Sequence, residues 1–247
     1  MDKLLYISMS GAKENLNATA LRANNLANAK TTGFKADIEQ ARSMQAYGEG
    51  LPTRVFSLTE RPGQDFSGGA LITTDRDLDV AVQGKGWLVV ESEDGSPALT
   101  RSGSFQIDNA GMLRTSAGKF VLGDGGPIAL PIPLDKFTIG KDGSISVRPS
   151  GAPATISEDV GRLQLVNPDI KDLVKGEDGL FRRKDGGAFV NDGAVTVASG
   201  MLESSNVNAV SEMVDLIKLQ RQFDMQVKMM KTAEEVDTSQ DRLLRFS

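Results

Sequence analysis

The sequence predicts a mixed fold, an all-β central domain flanked by N- and C-terminal α-helices, and three observations predict it. Between Asp2 and Asn28 there is a single glycine, Gly11, and after Gly200 there is none. Apolar residues recur at spacings of three and four at both ends of the chain, the period of a helix face. Between those ends, short alternating apolar runs are punctuated by Asp-Gly pairs, the pattern of strands joined by tight turns. For a chain of 247 residues this gives a helix over 1–32, an extended connector over 33–65, a β-rich domain over 66–200 and a second helix over 201–247.

In the first segment Leu5, Met9, Ala12, Leu16, Thr19, Ala23 and Leu26 form one narrow seam, and Gly33 supplies a stop in the left-handed region. Residues 36–47 have the composition of a short helix, but Pro52, Pro62 and the glycines at 48, 50 and 63 break any longer element, hence the connector. The strands of the middle include LDVAV, WLVV, SFQI, KFVL and SISV. Asp-Gly pairs at 94, 124, 142, 178, 185 and 192 suit turns that need a positive φ. The tail opens with Ser204, Ser205 and Asn206 as capping candidates. Two adjacent stripes follow, Met213, Leu216, Gln220, Phe223, Val227 and Met230 beside Val207, Val210, Val214 and Ile217. A helix of about forty residues with such stripes needs a partner for them. The N-terminal helix, other copies of the chain, or both can supply it.

Composition narrows the chemistry. With no cysteine and no histidine, disulfides, thiolate sites, imidazole bases and Ser-His devices are all excluded. A net charge of −5 with scattered Lys and Arg leaves no footprint for nucleic acid. The apolar run Leu4–Ile7 is too short for a leader core, and no run approaches a membrane span, so no membrane insertion and no cleaved leader are expected.

No motif points to a catalytic residue, a metal or a cofactor. Asp75, Asp77 and Asp79 would share one face of a strand, but the glycine and glutamate of a calcium loop are missing, and a solvated strand face is the simpler reading. Gly84-Lys85-Gly86 and Gly123-Asp124-Gly125-Gly126 lack the ending of a phosphate loop and read as turns. Trp87 reads as a core anchor, and the sequon Asn17-Ala18-Thr19, inside a helix, as chance.

The stretch ANNLANAKTTGFK at 23–35 resembles the signature of the flagellar rod and hook family. DLDVAVQGKGWLVV, TRSGSFQIDNAGML and SNVNAVSEMVDLIKLQRQFDMQVK resemble that family's later blocks, in the same order. The start MDKLLYISMSGA and the length are most similar to its proximal-rod members, with the distal-rod members as the near alternative. The resemblance implies a non-enzymatic subunit of the rod that transmits torque across the periplasm, exported by the flagellar type III apparatus without leader cleavage. It further implies that the terminal helices pair as a coiled-coil-like layer, and that the partners are further copies together with inner proximal-rod and distal-rod subunits. The expected assembly interface comprises Leu5, Met9, Leu16, Asn24, Asn25, Leu26, Asn28, Gly33 and Phe34, with Val210, Val214, Ile217, Gln220, Phe223, Val227 and Met230. Asn24, Asn25 and Asn28 weaken an isolated helix by about 0.6 kcal/mol each relative to Ala. The expectation is that their amides set the register with a neighbouring subunit. A wall-modifying β enzyme, a tube protein and an adhesin are the rival readings.

Overall fold

The computed structural model describes residues 2–45, 55–151, 153 and 157–245. The chain divides into two compact bodies, one drawn from Met1–Ala29, Ala36–Asp65 and Val207–Ser247, the other from Lys30–Lys35 and Phe66–Asn206.

The first body is built on helix α1, Asp2–Ala27, and helix α2, Ala209–Arg245, which pack against each other. They run antiparallel, since Arg22 meets Glu212 near one end and Leu5 lies beside Met230 near the other. The facing positions are Leu5, Ser8, Ala12, Asn15, Thr19, Arg22 and Leu26 on α1, each buried or half-buried. On α2 they are Glu212, Leu216, Leu219, Phe223, Gln226, Met230 and Ala233. Both sets follow the alternating three-and-four spacing of a coiled coil. Leu5, Ala12, Thr19 and Leu26 of the expected seam face inward, but the other three positions are shifted by one residue. Ser8, Asn15 and Arg22 turn inward while Met9, Leu16 and Ala23 are exposed. Gly11 lies close to α2, where a β-carbon would stand 2.7 Å from Gln226 Nε2 and oblige that side chain to shift.

Residues expected to form a connector, with a short helix at 36–47, instead form an antiparallel hairpin of strands Asp37–Gln45 and Val55–Gln64. Gln40 pairs with Glu60 and Ile38 with Gly63, so Arg61 and Pro62 oppose Glu39 alone. That bulge accommodates a proline which a regular ladder would exclude. Residues 46–54, including Tyr47 and Pro52, lie outside the described residues. The local preference of 36–45 is weak, and the partner strand decides it.

The second body is antiparallel throughout. Its largest sheet runs in the order Leu165–Val166, Trp87–Glu91, Pro97–Thr100, Phe181–Arg183, Leu173–Lys175. A three-stranded sheet joins Leu134–Ile139, Ser144–Pro149 and Glu158–Arg162. Thr196–Ser199 pairs with Val80–Gln83, and Met201–Glu203 with Leu71–Thr73. Trp87–Val90 is buried on both faces. Leu88 joins the larger apolar core with Phe105, Leu113 and Ile145, while Trp87 and Val89 join a second with Leu99, Phe181 and Phe189. Trp87 is thus a core anchor, in contact with Phe66 and Phe181.

Two local expectations are corrected. Asp75–Leu78 is irregular and turning rather than a strand, with Asp75 at φ 55° and the Asp79 amide donating to the Arg76 carbonyl, and only Asp79 bridges a strand-like partner, Ser104. Asp79 is buried rather than solvated, held by Arg76 at 3.3 Å. The last helix is capped by Asn208, not by Ser204–Asn206. Its Oδ1 accepts from the Val210 and Ser211 amides, while Ser204 and Asn206 are engaged in the β body, their amides donating to the Ala70 and Phe34 carbonyls.

Candidate functional site

Three arrangements collect the residues that matter, and the first is the end of α1. Asn25 is fully buried, and its amide bonds the backbone of Asp37 in both directions, Nδ2 donating to the carbonyl and Oδ1 accepting from the amide, each at 2.9 Å. Nδ2 also lies 3.4 Å from Glu212 Oε1, and Arg22 Nη1 pairs with that same oxygen at 3.1 Å. Asn25 is therefore satisfied within its own chain. Asn28 folds back to donate to the Asn24 carbonyl at 3.0 Å, and Asn24 is exposed. Asn25 thereby joins α1 both to the strand Asp37–Gln45 and to α2.

The second arrangement holds segment 30–35 against the β body. Gly33 adopts φ 69°, and a β-carbon there would stand 2.3 Å from the Arg101 carbonyl carbon. Both backbone conformation and space demand glycine. The Gly33 amide donates to the Glu203 carbonyl at 2.8 Å, and Lys175 Nζ lies 4.1 Å from the centre of the Phe34 ring. Beneath them Lys35, 1 % exposed, places Nζ 2.6 Å from Glu203 Oε1, while Arg101 Nη1 reaches Glu203 Oε2 at 2.9 Å. Sequence reading singled out Gly33 and Phe34 as assembly-interface residues, whereas here they seat their own segment, and it missed Lys35, Arg101 and Glu203. The one available signal was an acid ending the strand MLE, and nothing local says that a lysine 168 residues away answers it.

The third arrangement is the surface of α2. Phe223, Val227 and Met230 are half-buried on the side of α1. Val210 (71 % exposed), Val214, Ile217, Met225, Met229 and Val236 form a stripe on the opposite face, while Gln220 is exposed on the flank between the two faces. At about 100° per residue, Val214 lies half a turn from Phe223. On α1, Met9 and Leu16 are likewise exposed, while Leu5 and Leu26 are half-buried. Among the described residues no group of acidic side chains is arranged to hold a metal, and no helix is long and apolar enough to cross a membrane.

A helix pair with one member apolar on two opposite faces is the layout of a structural subunit built for association. The comparisons place it. The family described as flagella basal body rod protein matches residues 5–35, the flagellar hook protein FlgE/F/G D1 domain matches 81–147, and the flagellar basal body rod FlgEFG protein C-terminal family matches 198–243. The flagellar basal-body rod protein FlgF of Escherichia coli is 41 % identical over the whole of both chains, and that of Caulobacter vibrioides 35 % over 97 % of this chain and 96 % of its own. The rod protein FlgG of Bacillus subtilis is 30 % identical over 96 % of this chain and 97 % of its own. The chain belongs to the flagellar basal-body rod protein family.

Proposed function

We propose that this chain is a structural, non-enzymatic subunit of the proximal rod, and that it polymerises into the drive shaft through the outer faces of its terminal helices. The observation that carries the interface is the second apolar face of α2, opposite the face that α1 covers. Residues such as Val214, Ile217 and Met225 each stand to gain about 1 kcal/mol when a neighbour covers them. Met9 and Leu16 add to the proposed interface from α1, whereas Asn25, Phe223, Val227 and Met230 act through the fold of the subunit itself. Further copies, inner proximal-rod subunits and distal-rod subunits are the proposed partners. The flagellar export apparatus is the proposed route to a basal body in the periplasm, without cleavage of a leader. The 41 % and 35 % identity to the Escherichia coli and Caulobacter vibrioides FlgF proteins, against 30 % to the Bacillus subtilis FlgG, supports proximal over distal.

Two experiments test the reading. Expressed in strains lacking FlgF or FlgG, the chain restores motility only to the first; restoration of the second alone overturns the proximal assignment. Ile217→Lys and Val214→Lys abolish rod incorporation while leaving the helical content of the purified chain unchanged. Normal swimming of both variants overturns the α2 interface.

A further inference from the structure

We propose that the β body carries a preformed ammonium-binding site, built by Glu203, Arg101 and Gly69, and that its ligand is Lys35 of a detachable arm formed by residues 30–35. Charge balance is the first argument. Without Lys35, the Glu203 carboxylate keeps Arg101 Nη1 at 2.9 Å on Oε2 and the Gly69 amide at 3.0 Å on Oε1. Arg101 is in turn held by the carbonyls of Val82 at 3.4 Å and Gly84 at 2.7 Å, and its guanidinium lies 5.3 Å from the centre of the Trp87 ring. The carboxylate is thus compensated and fixed before any arm arrives.

The second argument is what holds the arm. Lys35 Nζ adds a 2.7 Å bond to the Ser67 carbonyl beside its contact with Glu203. Thr32 shares a hydrogen bond of 3.0 Å with Ser102, the Asn206 amide donates to the Phe34 carbonyl at 3.3 Å, and Lys175 Nζ donates to the Lys35 carbonyl at 3.1 Å. No residue of 30–35 belongs to the apolar cores of the described residues. Capture of the arm is therefore polar and specific, resting on an ion pair and hydrogen bonds to a buried ammonium rather than on a shared apolar core. Two buried cations share one carboxylate, so the three residues are not equivalent. Loss of Lys35 leaves a balanced pair, whereas loss of the Glu203 charge leaves two cations unanswered.

The test is the reactivity of Lys35 towards a pulse of acetic anhydride in the full chain, read by mass spectrometry against exposed Lys30 in the same segment. The expected result is acetylation of Lys35 at least about tenfold slower than of Lys30 in the wild type, and rates within about twofold of each other in Glu203→Gln, with Trp87 emission unchanged. Equal rates in the wild type, or full protection of Lys35 in Glu203→Gln, overturn the proposal. Lys35→Met, which keeps the Arg101–Glu203 pair, covers the case in which Glu203→Gln does not fold. There the Gly33 amide exchanges about tenfold faster while Leu88 and Val89 keep their protection. An unchanged Gly33, or loss of protection in all three, overturns the detachable arm.

Discussion

Asn25 and Asp37 bond each other as two strand residues would, with a side-chain amide taking the place of one backbone. The pair closes the chain just after α1, and it makes the three asparagines of the opening signature unequal. Asn25→Asp loses the donor to the Asp37 carbonyl and sets a second carboxylate beside Glu212, an expected cost of about 2–3 kcal/mol. Asn24→Leu, on the exposed face of α1, costs less than about 0.5 kcal/mol. Amide exchange at Asp37 and thermal melting distinguish the two; equal effects would show that the Asn25 bonds contribute nothing special.

Gly33→Ala is expected to fail in a different way. A methyl group there meets the Arg101 backbone in a conformation that L-residues avoid, which costs about 2 kcal/mol or more. The loss falls on the seating of 30–35, not on the β core. Exchange at Gly33 should therefore rise while Leu88 and Val89 stay protected, and a uniform loss of protection would contradict this.

Acid sensitivity of the β body is predicted to include a contribution from Asp178. Its carboxylate takes both Arg182 amino groups, at 2.9 and 2.7 Å, and the Arg182 hydrogen bonds hold its pKa down at about 2 from the ordinary 3.8. A depressed folded-state value stabilises above the unfolded pKa, and that stabilisation is lost as pH falls from about 4 towards 2. Because the pair is partly solvated, the contribution is set at roughly 1 kcal/mol. Urea titrations at pH 6 and pH 2.5 should show a smaller difference for Asp178→Asn than for the wild type. An unchanged difference would remove Asp178 from the account.

The helix pair contains a correctable flaw. Asn15 Nδ2 and Gln226 Oε1 are buried without a hydrogen-bond partner, and the Gln226 side chain lies against Gly11. Gln226→Leu removes one unmet acceptor and adds apolar contact, so it is expected to stabilise the pair by about 1 kcal/mol. Slower amide exchange along α1 would confirm this; faster exchange would show that the polar seam is needed as it stands.

The sequence by itself determined the two helices, the β character of the middle, the burial of Trp87 and the left-handed turn at Gly33, because these rest on local periodicity and on what single residues can adopt. Four of the six Asp-Gly pairs carry a positive-φ glycine, at 95, 143, 179 and 186, for the same reason. Only the tertiary structure decided which face of α1 turns inward, that 37–45 is a strand, and that Asn208 caps α2. It alone brought Lys35 and Arg101 to Glu203. Each of these depends on a partner far along the chain. Helix seams one residue apart differ little in local preference, and an ion pair leaves no periodic trace in the sequence. Contact with a distant surface selects among alternatives that the local chain leaves nearly equal in free energy.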